Sequence, residues 1–252
     1  MSVDFHVTKP FRLREPVLVE GFPGLGLVGT ISASYLVEKL KMEFVGYVTS
    51  DMFPPLASIH DYKPHYPARI YVSKRNNLVV LLSEFIVPVG ACYELAQRVH
   101  EFAREHKVRQ IISLGGIHLR SEEPKVYGIA TQSGLLDALV KSGKVSLIKE
   151  GATTGVTGVL LAQGAVENFP VVSFLAQAHE EYMDPKASAM VLEVLKTYLK
   201  LDFETRTLEA EAAEIESKMK DLLARAKQAN TQYKKAAADL GGGPNNLGPM
   251  YG

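Results

Sequence analysis

Three glycines with the spacing of a dinucleotide-binding loop form the most suggestive pattern of enzyme chemistry in this chain. Gly24, Gly26 and Gly29, in the run GFPGLGLVGT, match G-x-G-x-x-G between a predicted strand and a predicted helix. Such glycines let a pyrophosphate approach the N-terminus of the helix. The acidic residue expected after the next strand is represented only by Asp51, which MFPP follows at once. The loop thus predicts either nucleotide binding or a tight turn with close helix–strand packing, and the turn is favoured.

Two further polar clusters follow predicted strands. The run SLGGIHL ends one strand, and His118 with the nearby Glu122 and Glu123 could line a pocket there. A strand-to-loop turn with solvated charges explains the same residues and is favoured. In GATTGVTG, hydroxyls and glycines near a helix start are typical of an anion site. Thr154 or Thr157 as a helix N-cap is the simpler interpretation.

The remaining candidates for chemistry are a carboxylate–imidazole group and a single thiol. His179, Glu180, Glu181 and Asp184 lie in AHEEYMDP, but their spacing fits no compact metal-binding motif, and Asp184 is explained as a helix cap. Cys92 lies just inside a predicted helix with no base fixed beside it, so a buried structural thiol is expected. No metal and no cofactor are expected.

Composition restricts the class of protein. The 252 residues include 28 Lys and Arg and 28 Asp and Glu, so the formal net charge is zero and no basic patch for a nucleic acid or an anionic membrane is expected. One cysteine fits a reducing compartment. The N-terminal run lacks the apolar core of a signal peptide, and no apolar stretch approaches the roughly 20 residues that span a bilayer. A cytoplasmic protein with no membrane partner is expected.

Short aliphatic runs alternate with amphipathic stretches up to about residue 200. Strands are predicted at 16–22, 43–48, 68–73, 78–85, 110–116, 126–131 and 171–176, and helices at 26–40, 90–106, 133–142, 156–168 and 186–200. The last helix has a defined start, with Asp184 as cap and Pro185 at the first helical position. Alternating strands and helices predict a three-layer α/β/α sandwich. The run KRNN between two strands predicts a hairpin, so the sheet should be mixed but mostly parallel.

A different pattern begins at residue 203. Residues 203–240 contain no Gly or Pro, and their apolar positions alternate in steps of four and three from Leu208 to Leu240, as in a heptad repeat. This predicts an amphipathic helical arm that packs against a copy of itself, against the domain or against unfolded clients. The side chains proposed for these contacts are Leu208, Ile215, Met219, Leu222 and Leu223.

The last twelve residues, GGGPNNLGPMYG, predict a flexible tail after the arm. Glycines end the helix, and prolines prevent it from resuming. The aromatic ring of Tyr251 and the terminal carboxylate at a mobile end predict docking into a partner's pocket. The chain is therefore divided into a core domain at 1–202, an arm at 203–240 and a tail at 241–252.

Several stretches resemble the proteasome-assembly-chaperone family, and more closely its archaeal homologues of the PbaA and PbaB type. They are VEGFPGLGLVGTISASYLVEKL, DMFPPLASIHDYKP, LSEFIVPVGACYELAQRV, IISLGGIHL and AHEEYMDPKAS, and the similarity covers about residues 12–200. The terminal tripeptide fits the hydrophobic–Tyr–X (HbYX) motif of proteasome activators. In that motif Met250 is the hydrophobic position, Tyr251 is the pocket-filling aromatic and Gly252 supplies the carboxylate.

The resemblance implies a fold with the layout of nucleoside phosphorylases, usually without demonstrated catalysis. It also implies a homo-oligomer, taken here as a tetramer or pentamer, that docks on the α-ring of the proteasome core particle, with a homologous chaperone subunit as a further partner. No G-x-x-x-x-G-K-[ST] run is present, so the expected activity is ATP-independent chaperoning or activation rather than enzymatic. Two alternatives stay open: a nucleotide- or small-molecule-binding α/β enzyme that uses loop 24–29, and a structural oligomer held together by its arms.

Overall fold

The computed structural model describes residues 2–118, 124–179 and 183–205, together with the single residues Leu208, Ala224, Gln228 and Thr231. The strands are β1 (Val3–Val7), β2 (Val17–Gly21), β3 (Glu43–Ser50), β4 (Ser58–His60), β5 (Lys63–His65), β6 (Ala68–Ser73), β7 (Leu78–Ser83), β8 (Gln110–Ile117), β9 (Val126–Ala130), β10 (Ser146–Leu147) and β11 (Val171–Gln177). The helices are α1 (Val28–Lys39), α2 (Val89–Glu105), α3 (Ser133–Ser142), α4 (Gly155–Val166) and α5 (Pro185–Leu199), and a 3₁₀ turn at Leu25–Leu27 precedes α1.

Within the described residues, nine strands form one mixed sheet in the order β1-β3-β6-β7-β2-β8-β11-β9-β10. The four central strands, β7, β2, β8 and β11, are mutually parallel. The strands β1, β3 and β6 on one side are joined antiparallel, and β9 is antiparallel to β11 on the other. Separately, β4 and β5 form a small antiparallel hairpin.

The central strands are apolar almost throughout because helices cover both faces of the sheet. Alternate residues of β2 enter two different cores: Val17 and Val19 pack with α1 and α5, whereas Leu18 packs with α2 and α4. Every residue of β2 and of β7 is buried. The three-layer α/β/α sandwich predicted from the alternating pattern is therefore confirmed.

Two local predictions are also confirmed. The strands on either side of KRNN form the antiparallel β6–β7 hairpin. At the start of α5, the Asp184 side chain accepts a hydrogen bond from the Ala187 N–H, and Pro185 occupies the first turn. Because Pro lacks an N–H and Asp184 satisfies a backbone donor, this helix start leaves few polar groups unpaired.

The N-terminal strand was not predicted, yet it forms one edge of the sheet. β1 pairs with β3, and its outward backbone is capped by side chains of α2: the Val3 N–H donates to Glu94 Oε1 at 2.9 Å, and Arg98 Nε donates to the Val3 carbonyl at 3.1 Å. Side chains that occupy the free backbone groups of an edge strand hinder the addition of a further strand there. This edge is therefore not an open surface for strand pairing at Val3.

No helix in the described ranges has the length and apolar character required to cross a membrane.

Candidate functional site

The carboxyl ends of the central strands define one edge of the sheet, called here the carboxyl edge. In open α/β sheets, ligands bind in crevices at this edge. Here it holds the glycine loop after β2, the β4–β5 hairpin, the start of α2 after β7 and the turn from β11 into α5. Most of the residues singled out above for chemistry, among those described, therefore lie at this edge.

Two of the three glycines of the loop are packed tightly against protein. A Cβ on Gly26, whose φ is +60°, would lie 2.9 Å from Ala178 Cβ and 3.1 Å from Asp184 Cβ. A Cβ on Gly29 would lie 2.4 Å from the carbonyl oxygen of Leu114. Only Gly24 has open space around it. The second and third glycines thus serve the close helix–strand packing that the structural interpretation of the motif requires.

The helix N-terminus behind this loop is likewise closed. Val28, the first residue of α1, is completely buried, and Gly29 is also buried. The Asp184 N–H donates to the Gly26 carbonyl at 2.9 Å, which joins the loop to the start of α5. A phosphate at a helix N-terminus needs free backbone N–H groups facing solvent. The loop geometry therefore does not favour a dinucleotide site.

A buried carboxyl group on β2 forms the first polar cluster of the carboxyl edge. Glu20 is 0% exposed, and its Oε1 accepts hydrogen bonds of 3.1 Å from both Ser113 Oγ on β8 and Thr157 Oγ1 in the first turn of α4. The Phe22 N–H donates to its Oε2 at 3.3 Å. Burial raises the pKa of Glu20 to about 7, although these three hydrogen bonds oppose the rise. The cluster can hold a proton near neutral pH, but it has no contact with solvent.

A second cluster pairs charges beside the β4–β5 hairpin. Glu84, directly after β7, forms an ion pair with Arg69 Nη2, and the Nε2 of His60 lies 2.9 Å from Glu84 Oε1. Glu84 and Arg69 are buried, whereas His60 is partly exposed. Burial acts to raise the pKa of Glu84, but the hydrogen bond with His60 and the charge of Arg69 outweigh burial and lower the pKa. This ionised group fastens the hairpin to the sheet.

The histidine and carboxylate groups suggested as metal ligands are engaged with each other and with the backbone. His179 Nδ1 lies 2.8 Å from Asp184 Oδ2, while Oδ1 of the same carboxylate caps α5. In the described part of the chain, no group of three His, Cys, Asp or Glu side chains is arranged to hold a metal ion. Glu180 and Glu181 lie outside the described residues.

The remaining side chains predicted to do chemistry are not gathered into one cluster. His118 is exposed after β8, and its proposed neighbours Glu122 and Glu123 lie outside the described residues. Cys92 is a buried free thiol in the first turns of α2, and burial raises the pKa of its thiol. Thr154 occupies the N-cap position of α4 without a side-chain capping hydrogen bond, and the Thr157 hydroxyl bonds to Glu20 instead.

The segment after α5 packs back onto the domain. The Tyr35 hydroxyl of α1 donates to the Glu204 carbonyl at 2.7 Å, and Lys196 of α5 lies over the ring of Phe203. Thr205 Oγ1 donates to Glu193 Oε1. Because the contacts move from Lys196 to Glu193 as the chain advances, the segment runs antiparallel to α5, back toward the carboxyl edge.

This packing continues past the predicted end of the core domain at 202. Phe203, Thr205 and Leu208 are buried, and Leu208 is 0% exposed within the core that α1 and α5 share. Of the contacts predicted for Leu208, its burial fits packing against the domain. Beyond it, Ala224, Gln228 and Thr231 are helical and exposed. Ile215, Met219, Leu222, Leu223, Met250, Tyr251 and Gly252 lie outside the described residues.

Sequence reasoning overlooked three charged residues that organise the carboxyl edge. Glu20, Arg69 and Glu84 each lie in or directly after a strand that is otherwise almost wholly apolar. A charged residue in such a run is the available signal, because a buried charge requires hydrogen-bonding or ionic partners. The partners themselves come from distant parts of the chain.

The family of the chain follows from its comparison with known proteins. A model of the PAC2 family matches residues 18–223. The chain belongs to the PAC2 family. This PAC2 chain is also 30% identical, over 221 residues, to an uncharacterised protein of Methanocaldococcus jannaschii, and the match covers 88% of this chain and 91% of the relative.

Two solved structures carry the same fold. The crystal structure of Pyrococcus furiosus PbaA, an archaeal homologue of proteasome-assembly chaperone, superposes with a TM-score of 0.79 at 28% identity, covering 91% of the PAC2 chain and all of PbaA. Pyrococcus furiosus PbaB, an archaeal proteasome activator, has a TM-score of 0.75 at 24% identity, with coverages of 88% and 98%. The resemblance to the PbaA and PbaB type is confirmed in family and fold.

Proposed function

We propose that this protein is an ATP-independent proteasome-assembly chaperone or activator-like protein that docks on the α-subunits of the proteasome core particle. The observation that carries the proposal is membership of the PAC2 family, together with the likeness of nearly the whole chain to PbaA. Docking is assigned to Met250, Tyr251 and Gly252, on the basis of the terminal HbYX-like tripeptide. The proposal includes self-association of the chain, and a homologous chaperone subunit is a further partner.

The structure supports a binding function more than an enzymatic one. The glycine loop, which carried the enzyme alternative, packs at Gly26 against Ala178 and Asp184 and at Gly29 against Leu114. Glu20, the acid whose pKa is near neutrality, is sealed from solvent. Without access to a substrate, Glu20 cannot take part in general acid–base chemistry. The protein is therefore proposed to act by binding energy alone, and no observation favours a second function.

The course of the segment after α5 is compatible with this function. Phe203 and Thr205, at the start of the proposed arm, return along α5 toward the carboxyl edge. An arm followed by a flexible tail of about a dozen residues would carry the terminal tyrosine well away from the domain. Several such tails on an oligomer bind cooperatively, because after the first contact the others act at high effective concentration.

A pull-down with a purified archaeal proteasome core particle tests the docking assignment. Tyr251→Ala, and deletion of the last three residues, should each weaken retention about tenfold or more, because an aromatic that fills a pocket is a typical binding hot spot. Leu247→Ala is the matched control, since it removes an apolar side chain from the same tail outside the tripeptide, and it should bind as the unmodified chain does. Retention of Tyr251→Ala at the unmodified level would exclude docking through the tripeptide.

A further inference from the structure

A cleft lies on the face of the sheet that α5 covers, beside the last two strands, β9 and β10. Its volume is about 550 Å³, within the range of about 300–1,000 Å³ that is typical of ligand sites. Three walls enclose it: residues 124–126 at the start of β9, residues 143–146 between α3 and β10, and one side of α5. Because Val126 pairs with Ala176 near the end of β11, the cleft reaches the carboxyl edge, where open α/β sheets bind ligands.

The cleft combines an apolar lining with positive charges. The apolar side chains come from all three walls and are Val126, Val145, Ala189, Met190 and Val194. Each wall also carries one exposed lysine, and these are Lys125, Lys144 and Lys186. The site is called here the lysine cleft. None of the side chains discussed above as candidates for chemistry lines it.

The charges of the three lysines are not neutralised within the described part of the chain. None of the three forms an ion pair there, and Lys144 Nζ donates instead to the Thr197 hydroxyl at 2.9 Å. Glu193 also lines the cleft, and its carboxylate accepts a hydrogen bond from Thr205. Three lysines and one glutamate give the lining a net charge of +2, whereas the formal net charge of the whole chain is zero. This local excess favours an anionic occupant.

The shape of the lysine cleft favours a polypeptide over a small anion. A phosphate gains nothing from the apolar lining, whereas an apolar side chain beside acidic ones can pack on it. The cleft is also open to solvent, unlike a pocket that buries most of a small ligand.

The position of the cleft at the end of the sheet favours a polypeptide as well. Ser146 of the cleft belongs to β10, the last strand of the sheet, and among the described residues this strand pairs on one side only. An extended segment can add to such an edge through its backbone. At the opposite edge, by contrast, Glu94 and Arg98 bond to the backbone of Val3.

We propose that the lysine cleft binds an acidic polypeptide segment of a partner protein. Carboxylates of the segment pair with Lys125, Lys144 and Lys186, and an apolar side chain between them packs on Met190 and its neighbours in the lining. The inference rests on the proposed function in taking the partner to be a protein. It adds to the docking tail a second contact site, and it names the chemistry that this site recognises.

Fluorescence anisotropy of a labelled peptide with the full chain tests the proposal. The probe is a short peptide in which glutamate and leucine alternate, and its affinity should fall as ionic strength rises, because salt screens exposed ion pairs. Lys186→Glu should weaken binding about tenfold, because like charges then face each other. This variant should fold, since Lys186 lies in the first turn of α5, where an acidic side chain interacts favourably with the helix dipole.

Two controls separate the cleft from charge in general. Lys63→Glu makes the same change of net charge at an exposed lysine of β5, outside the cleft, and should bind the peptide as the unmodified chain does. A peptide with serine in place of leucine should bind more weakly to the unmodified chain, because it keeps the carboxylates and lacks the side chains that pack on the apolar lining.

The outcomes distinguish this inference from docking through the tail. Equal peptide binding by the unmodified chain, Lys186→Glu and Lys144→Glu overturns the assignment of the cleft. Inorganic tripolyphosphate that binds with the same dependence on Lys186, while the peptide does not bind, overturns the polypeptide and assigns the cleft to a small polyanion. Absence of peptide binding to the unmodified chain overturns the inference as well. None of these results bears on the tail, which Tyr251→Ala tests with the proteasome core.

Discussion

Two buried carboxyl groups at the carboxyl edge have opposite electrostatic character, although neither has access to bulk water. Glu20 receives only neutral hydrogen-bond donors, so the cost of burying its charge dominates and its pKa rises to about 7. Glu84 faces Arg69 and His60, and these partners outweigh burial, so its pKa falls. Glu20 therefore favours the neutral acid and Glu84 the carboxylate.

Substituting each residue by glutamine should change the free energy of unfolding with opposite dependence on pH. The pKa of Glu20 is higher in the folded state than its ordinary 4.5, so its contribution to stability is lost as pH rises from about 4.5 to about 7. At about 1.4 kcal/mol for each pKa unit, the loss approaches roughly 3 kcal/mol above pH 7. Glu20→Gln should thus gain stability relative to the unmodified chain across this range, as measured by urea unfolding at pH 4, 6 and 8.

Glu84→Gln is the matched comparison, and the pH dependence of its effect on the free energy of unfolding should run in the opposite direction. The folded-state pKa of Glu84 is lowered, so its stabilising ion pair is present above the ordinary pKa of 4.5 and is lost as pH falls through the lower, folded value. The variant should be more destabilised, relative to the unmodified chain, at pH 8 than at acidic pH. If the two variants changed with pH in the same direction, the environments described for these carboxyl groups would be wrong.

Among the elements, the glycine loop shows how one sequence motif can serve packing instead of ligand binding. Its second glycine, Gly26, has positive φ and lies against the turn between β11 and α5, while Gly29 lets α1 approach the backbone of β8. The first glycine, Gly24, has extended backbone and no neighbour within 4 Å of an added Cβ. The three positions of the motif therefore differ in whether they can accept a side chain.

Alanine substitutions in the loop should separate packing from ligand binding. Gly26→Ala places a Cβ in the left-handed region and against Ala178, so it should lower the free energy of unfolding by at least about 1–2 kcal/mol. Gly24→Ala, the matched control, meets no neighbour and should change stability by less than about 0.5 kcal/mol. Chemical denaturation measures both changes. Comparable losses in the two variants would contradict the packing described for the loop.

The accuracy of the sequence-based predictions depended on the length of the elements and the clarity of their hydrophobic pattern. The long apolar strands and the amphipathic helices were found because a repeated pattern identifies them. The hairpin of β4 and β5 was missed because each strand has three residues and Pro64 interrupts the second. β1 was missed because its polar Asp4 and His6 alternate over only five residues at the edge of the sheet. The contacts of Glu20 were beyond prediction, because Ser113 and Thr157 are distant in sequence.

At the scale of the whole molecule, the packing of the core extends into the residues at which the arm was predicted to begin. The arm pattern begins at 203, yet Phe203, Thr205 and Leu208 are buried against α1 and α5. Leu208 thus belongs both to the heptad-like pattern and to the core of the domain. Residues 203–205 and Leu208 are therefore packed against the domain rather than forming a free linker.

Two truncated chains test whether residues 203–208 stabilise the domain. A chain ending at 202 loses Phe203 and Leu208 and exposes the surface that they cover, so at about 1.5–3 kcal/mol for each buried side chain it should lose roughly 3–6 kcal/mol of unfolding free energy. A chain ending at 210 keeps both residues and the Tyr35–Glu204 hydrogen bond, so its stability should match that of the full chain. Both chains lack the tail, and neither should be retained by the proteasome core in a pull-down. Equal stability of the two chains would show that residues 203–208 belong to the arm alone. A chain ending at 210 that is stable but does not bind the proteasome core would show that folding of the domain and docking are separate.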